Sequence, residues 1–175
     1  MSLAGFPKRF LIACIALQAM LLGTSSQAAP QTGQKFRDWT ARCEVRKETA
    51  GKETKEQTCF VFQNILLKKE NKRLLHVAVG YLVSKDQPVA FFTLPLGVSL
   101  PGGVSLTVDD GKPLRVRYER CDASGCLAPL ALTETLVKSL KGGRWARVAF
   151  FDATRREVSV PVSLLGFTSG LKSLK

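Results

Sequence analysis

Four cysteines in a chain built to leave the cytoplasm restrict its folding more than any other feature. The chain opens with Lys8-Arg9, continues through the fourteen mostly apolar residues Phe10 to Gly23, and then reads Thr24-Ser25-Ser26-Gln27-Ala28-Ala29. A basic start, a short apolar run and a small-residue cleavage site are the three parts of a secretory signal. Ala28 and Ser26 supply the small side chains one and three residues before the cut. Residues 1–28 are therefore read as a cleaved leader and Ala29 as the mature start. A membrane-spanning helix needs about 20 apolar residues, and here the run gives way at Gly23-Thr24. Leu11-Ile12-Ala13-Cys14 resembles a lipidation tetrapeptide. Only Phe10 separates it from Arg9, however, and the apolar run continues to Leu22, so Cys14 is discarded with the leader. What remains must fold where thiols oxidise.

Cys43, Cys59, Cys121 and Cys126 stay in the mature chain. An even set in an exported chain reads as two disulfides, and order alone leaves three connectivities open. Cys43 and Cys59 lie on neighbouring strand-like segments, and Cys121 and Cys126 bracket a tight Asp122-Ala123-Ser124-Gly125 loop. That favours pairing 43 with 59 and 121 with 126. Zinc binding would call for paired C-x₂₋₄-C knuckles, which this spacing lacks. Neither pair is C-x-x-C, so a thioredoxin-like redox motif is absent. No metal and no cofactor is expected.

Without the leader 147 residues remain, enough for one domain with a core. They read as short strands separated by turn signals, the pattern of an all-β sandwich or barrel. Phe36 to Val45 is the first strand, and the polar stretch Arg46 to Gln57 is a solvated hairpin loop. Thr58 to Leu67 follows as an apolar strand expected to be buried on both sides. Leu75, Val77, Val79, Tyr81 and Val83 recur at period two within the Leu74–Val83 strand. Pro88 opens Val89 to Leu94, and Val104, Leu106 and Val108 alternate up to the turn Asp109-Asp110-Gly111. Leu114, Val116 and Tyr118 are placed inward, with Arg115, Arg117 and Glu119 outward. Beyond Cys126 the period changes: Leu132, Leu136, Val137 and Leu140 share one face of a helix near residues 132–141. Thr133 or Thr135 stands at its start and Gly142-Gly143 at its end. Strands over 144–151 and 157–162 follow. Pro161 cannot donate to a ladder, which puts the last strand at an edge or ends it there. Residues 163–175 finish as a short C-terminal helix. The fold class is mainly β, an antiparallel sandwich or barrel-like single domain over residues 29–175.

Catalytic machinery is hard to find. His76 is the sole histidine, on the polar-leaning face of its strand beside Ala78 and Gly80, and is read as structural. No G-x-S-x-G elbow, H-E-x-x-H, phosphate loop or dinucleotide fingerprint occurs. Asp109 and Asp110 are neighbours on a turn and point apart. A non-enzymatic protein is expected, with no catalytic residues. Charge is the stronger pointer. Of 26 basic and 14 acidic residues, only Lys8 and Arg9 leave with the leader, so the mature net charge is +10. Such a field favours acidic partners: lipopolysaccharide, lipid head groups or sialylated glycans of an envelope or host surface. Export argues against nucleic acid. Lys68, Lys69, Lys72 and Arg73 in one charged turn, with Arg115 and Arg117 alternating on one strand, are the candidate anionic-surface residues. They lack interleaved exposed aromatics of the kind a single-strand nucleic-acid binder shows. The sequence sets no oligomeric state.

Certain landmarks follow one another in a set order: Phe36-Arg37-Asp38-Trp39 with Cys43, Cys59, Leu94-Pro95-Leu96-Gly97-Val98, Cys121 with Gly125-Cys126, and Ser163-Leu164-Leu165-Gly166-Phe167. This order resembles the invasion-associated locus B family of exported bacterial envelope proteins, over about Phe36 to Leu174. The resemblance implies a mainly β protein of the periplasm, or exported to the outer membrane or cell surface, with a role in entry into host cells, erythrocytes in particular. Relatives in bacteria that invade nothing leave a housekeeping alternative, a periplasmic factor binding an acidic envelope component. The resemblance carries over the cysteines as crosslinks and no catalytic residue. The charged insert between Cys43 and Cys59 follows no family pattern. N-terminal sequencing of the exported protein should begin at Ala29; protein that retains Lys8 would contradict the leader assignment.

Overall fold

Period-two alternation builds most of the chain into strands, which a computed structural model describes over residues 29–45, 57–67, 70–82 and 86–175. The leader, the polar loop over 46–56, Lys68, Lys69 and Val83 lie outside the described residues. Eleven strands are described: β1 (Lys35–Phe36), β2 (Trp39–Val45), β3 (Gln57–Leu67), β4 (Lys72–Tyr81), β5 (Pro88–Leu94), β6 (Val104–Val108), β7 (Leu114–Val116), β8 (Arg120–Asp122), β9 (Gly125–Ala131), β10 (Trp145–Phe151) and β11 (Glu157–Ser163). Helices α1 (Glu134–Gly142) and α2 (Phe167–Lys172) and a 3₁₀ turn at Leu100–Gly102 complete the set. The strands form two antiparallel sheets, a seven-stranded one ordered β1-β2-β3-β4-β5-β9-β8 and a four-stranded one ordered β11-β10-β6-β7. The barrel alternative is thereby dropped in favour of two sheets.

Their inner faces share one core. Val61, Val77, Val79, Ala90 and Phe92 of the larger sheet meet Leu106, Val148, Phe150, Val160 and Val162 of the smaller. Each of these side chains larger than alanine contributes about 1.5–3 kcal/mol through loss of water contact. Trp39 is the largest fully buried side chain. Its Nε1–H donates to the carbonyl of Ser163 at 3.0 Å, and the Gln63 amide donates to the same oxygen at 2.7 Å. Phe167 of α2 meets the indole edge-on, with 5.3 Å between ring centroids. Gly166, with φ +91°, brings the chain against the Phe36 carbonyl, where any Cβ would collide. The C-terminal helix expected over 163–175 is thus short and closes one end of the core.

Several expectations change. β3 is not buried on both sides: Val61 alone is fully covered, while Asn64, Leu66 and Leu67 are exposed. Its outer side faces no third layer among the described residues. Buried on both sides instead is β4, whose small outward residues Ala78 and Gly80 are shaded by taller neighbours. Leu114 is exposed, because β7 is a three-residue edge strand, and that strand ends at Val116, so Arg117 lies beyond it. β9 was not foreseen. Its run Leu127-Ala128-Pro129-Leu130-Ala131 lacks polar alternation and contains a proline. The Glu119 N–H bonds the Leu127 carbonyl, so Leu127 and, two residues on, Pro129 turn their backbones away from β5. The missing donor of Pro129 therefore breaks no ladder bond to β5. Pro161 sits on β11, the edge of the smaller sheet, as expected.

The helix start resolves to Thr133, whose hydroxyl accepts the N–H of Leu136 at 3.3 Å, and the helix stops at Gly143. On the far edge of the larger sheet, residues 32–34 cover β2 where β1 is too short. Gly33 N–H bonds Ala41 O, Ala41 N–H bonds Gln34 O, and the Thr32 hydroxyl serves both backbone groups of Cys43.

Both disulfides have the favoured pairing. Cys43–Cys59 joins register partners on β2 and β3, and Cys121–Cys126 joins β8 to β9. Cys43 and Cys59 are 16 residues apart and the second pair five. Chain entropy assigns about 3 kcal/mol to a loop of some fifteen residues. Replacing Cys43 and Cys59 by Ala should lower the urea-unfolding free energy by about that amount, with a smaller loss for the Cys121/Cys126 pair.

Candidate functional site

A turn and a strand alternation place the most chemically distinctive surface on the outer face of the four-stranded sheet. After β6 the chain turns at Asp109, a non-glycine residue at φ +45°. The Asp109 carboxylate accepts the N–H groups of Arg144 at 3.2 Å and Trp145 at 2.9 Å, which fixes where β10 begins. From there alternation sends Ala146, Val148 and Phe150 into the core and leaves Trp145 and Arg147 outside. Trp145 is 51% exposed, a large apolar area to leave in water. Register puts Arg147 opposite Thr107, and Ser105 between Ala149 and Arg115. Arg115 also lines a shallow hollow of 300 Å³ with Ala149, Phe151 and Glu157. Gly103 permits this packing, since a Cβ there would strike the Val116 carbonyl at 2.6 Å. Arg115, Arg117 and Arg147 enter no ion pair among the described residues.

The candidate residues read from the sequence are not brought into one patch. Lys72 and Arg73 begin β4 in the larger sheet. Lys72 pairs with Glu70 at 3.0 Å, and Arg73 donates to the carbonyl of Ser124 at 2.9 Å. Arg115 and Arg117 belong to the other sheet, on and just beyond β7, so they do not alternate along one strand. Lys68 and Lys69 lie outside the described residues. Arg156 is occupied by Asp152, 3.1 Å away. Hydrogen bonds from Thr154 and the Arg156 backbone hold the Asp152 carboxyl down at about 2. Sequence reasoning missed Trp145 and Arg147. Their signal was the alternation Trp145-Ala146-Arg147, but only strand pairing shows that Arg115 shares their face.

A second concavity, a cleft of 770 Å³, opens between α1 and the start of β5. Lys138 and Lys141 of α1 and Lys175 line it, and Asp86 and Glu134 offset part of their charge. Lys175 Nζ stands 4.7 Å over the Tyr81 ring, a cation–π contact. His76 lies elsewhere, on the outer face of the larger sheet. Its Nδ1 is 2.8 Å from Asn64 Oδ1 and its ring 5.4 Å from that of Phe62. Burial, with Arg73 and Arg42 nearby, lowers its proton affinity, so the imidazole is neutral at neutral pH. Burial also pushes the Tyr118 phenol up to about 12, and its oxygen has no partner. Among the described residues no three His, Cys, Asp or Glu side chains come together as a metal site.

The family model described as invasion associated locus B (IalB) protein matches residues 39–175. Two curated invasion protein B homologs of Brucella abortus, from strain 2308 and from biovar 1 strain 9-941, are each 26% identical over 141 residues. Each alignment covers 80% of this chain and 77% of the relative. The crystal structure of invasion associated protein B from Bartonella henselae aligns with a TM-score of 0.69 at 21% identity, over 81% of this chain and 92% of that one. That last likeness is one of fold.

The His76 environment has a measurable consequence. A lowered pKa means that the unfolded chain binds the proton more readily, so this stabilisation is complete above the ordinary value near 6.5. It is lost as pH falls from there through the folded-state value. The imidazole NMR titration should have its midpoint below 6.5. Stability should decline with acidification in that window, and His76→Gln should remove this component of the slope.

Proposed function

The chain belongs to the invasion associated locus B family, and from that premise we propose an exported, non-enzymatic binding module of the bacterial cell envelope that contacts acidic surfaces. The observation that carries this reading is the outer face of the four-stranded sheet, which presents exposed Trp145, Arg115 and Arg147. Aromatic and arginine side chains are the residue types over-represented where protein surfaces make energetically important contacts. A guanidinium fork matches carboxylate and phosphate geometry in a way a lysine ammonium does not. A net charge of +10 on the mature chain adds long-range attraction to the same partners. The partners proposed are acidic glycans, lipopolysaccharide or lipid head groups. Host-cell entry, the role in the names of the relatives, is the proposed biological setting, in the periplasm or at the outer surface. The housekeeping alternative uses the same chemistry on an acidic component of the bacterium's own envelope.

Charge reversal separates this face from other basic segments. Arg115→Glu with Arg147→Glu should abolish binding to lipopolysaccharide or a sialylated glycan, read by surface plasmon resonance. The thermal midpoint should hardly move, because both residues are exposed. Reversing Lys68, Lys69, Lys72 and Arg73 together should cost less. Raising salt from 0.1 to 1 M shortens the Debye length from about 10 to about 3 Å and should release the wild-type complex. Salt-insensitive binding, or full binding by the double variant, would overturn the assignment. Deletion of the gene followed by host-entry and envelope-stress assays distinguishes the invasive setting from the housekeeping one.

A further inference from the structure

The outer face of the seven-stranded sheet carries a trough that the cationic face does not explain. β4 turns Gly80, Ala78 and His76 outward in succession. Register sets Phe60 and Val89 on either side of Gly80, Phe62 and Phe91 beside Ala78, and Asn64 and Thr93 beside His76. Small residues thus lie between tall ones, and a groove of 240 Å³ runs along β4 with Ala78 and Gly80 as its floor and Phe60 and Phe91 as walls. Gly80 is required for this shape: a Cβ there would lie 2.9 Å from Cβ of Phe60, which leans over the strand. β3 and β5 stand two strand spacings apart, about 10 Å, so between their side chains only one narrow chain fits. From His76 to Gly80 the floor extends about 14 Å.

The two ends differ. Beyond Gly80 the lining is Tyr81 and Leu82, and Leu82 is 40% exposed. At the other end His76 and Thr93 bring polar atoms, with His76 Nδ1–H donating to Asn64 Oδ1 and its Nε2 left as an acceptor. Arg73, three residues further along β4, and Arg42 on β2 are close enough to act on the imidazole electrostatically. Arg42 is paired with Glu44, whereas Arg73 enters no ion pair among the described residues and spends one N–H on the Ser124 carbonyl at 2.9 Å, leaving its other guanidinium donors. The trough is therefore apolar along its length and cationic at one end. A peptide strand is a poor occupant, because the N–H and C=O groups of β3, β4 and β5 are spent within the sheet. A bilayer is a poor occupant as well, since Phe60 and Phe91 are half-buried.

We propose that this trough binds a single unbranched fatty acid, its hydrocarbon chain along Ala78 and Gly80 with the methyl end toward Leu82, and its carboxylate toward Arg73. Hydrocarbon would displace water from a surface that offers that water few hydrogen bonds. The cationic end selects the charged head and sets the direction of the chain. This site is separate from the Trp145–Arg147 face and stands without it.

The exported, disulfide-bonded protein should bind decanoate saturably, one to one, by isothermal titration calorimetry below the micelle threshold. Amide NMR shifts should cluster at Ala78, Gly80, Phe91 and Thr93. Ala78→Leu fills the floor and should weaken binding at least tenfold. Arg73→Ala should weaken decanoate several-fold while leaving decanol unchanged. Arg115→Glu with Arg147→Glu should bind decanoate as the wild type does, which keeps this test apart from that of the acidic-surface reading. If Ala78→Leu does not fold, the wild-type shift map decides, and shifts clustered at the α1 cleft or on the four-stranded sheet refute the proposal. Absence of saturable binding, full affinity in folded Ala78→Leu, or equal affinity for decyltrimethylammonium would each overturn it. So would binding to phosphatidylglycerol vesicles without binding to decanoate.

Discussion

The hydrogen bond from the Trp39 indole to the Ser163 carbonyl holds the architecture in register. It reaches from the first long strand of the larger sheet to the last residue of the smaller sheet's edge strand, 124 positions away. Burying an indole N–H without a partner costs on the order of 1–3 kcal/mol, so this geometry discriminates against sheets that slide. Gln63 occupies a second site on the same oxygen, and both lone pairs are then used. Phe167 can lie edge-on to the indole only because Gly166 lets the chain turn against Phe36. Sheet stacking and closure of the core by α2 therefore follow from one bond and one backbone conformation.

The covalent crosslinks have a different distribution. Both lie in the seven-stranded sheet, one toward each margin, and none ties that sheet to its partner. The sheets are joined by packing and by the hydrogen bonds to Ser163, while the margins of the larger sheet are fixed covalently. Between those margins lie β3, β4 and β5, whose outer face combines large and small side chains. The smaller sheet has an outer face of arginine, hydroxyl and tryptophan groups. Two broad surfaces of unlike chemistry thus result from one alternating pattern applied to two sheets.

How legible was this in the chain? Strands with clean alternation, such as β6 and β10, were plain, as were the cap of α1 and the edge position announced by Pro161. Cysteine pairing followed from adjacency of segments. β9 was hidden because Pro129 and its apolar neighbours imitate a loop leading into a helix, and only the direction of its backbone groups explains why proline is tolerated. The sites were harder for a related reason. Arg115 and Arg147 become neighbours through β6, and the trough depends on Phe60, Ala78 and Phe91 standing side by side on three strands. Linear order carries residue type and period, but it does not carry lateral register. Leu114 shows the same limit: its alternation was correct, and its exposure was decided by the missing neighbour of an edge strand.

Among the described residues the margins of the two sheets are blunted against a further strand. β1, β7 and β8 are two or three residues long, β11 contains Pro161, and residues 32–34 occupy the open side of β2. These edges disfavour docking by a lent strand, which is a common way for an extended segment to join a β protein. The same blunting disfavours edge-to-edge stacking of copies, a hazard for any sheet that folds among many others like it. The chemistry the molecule presents is thus carried by side chains on the two sheet faces, where single substitutions change it and leave the backbone ladder untouched.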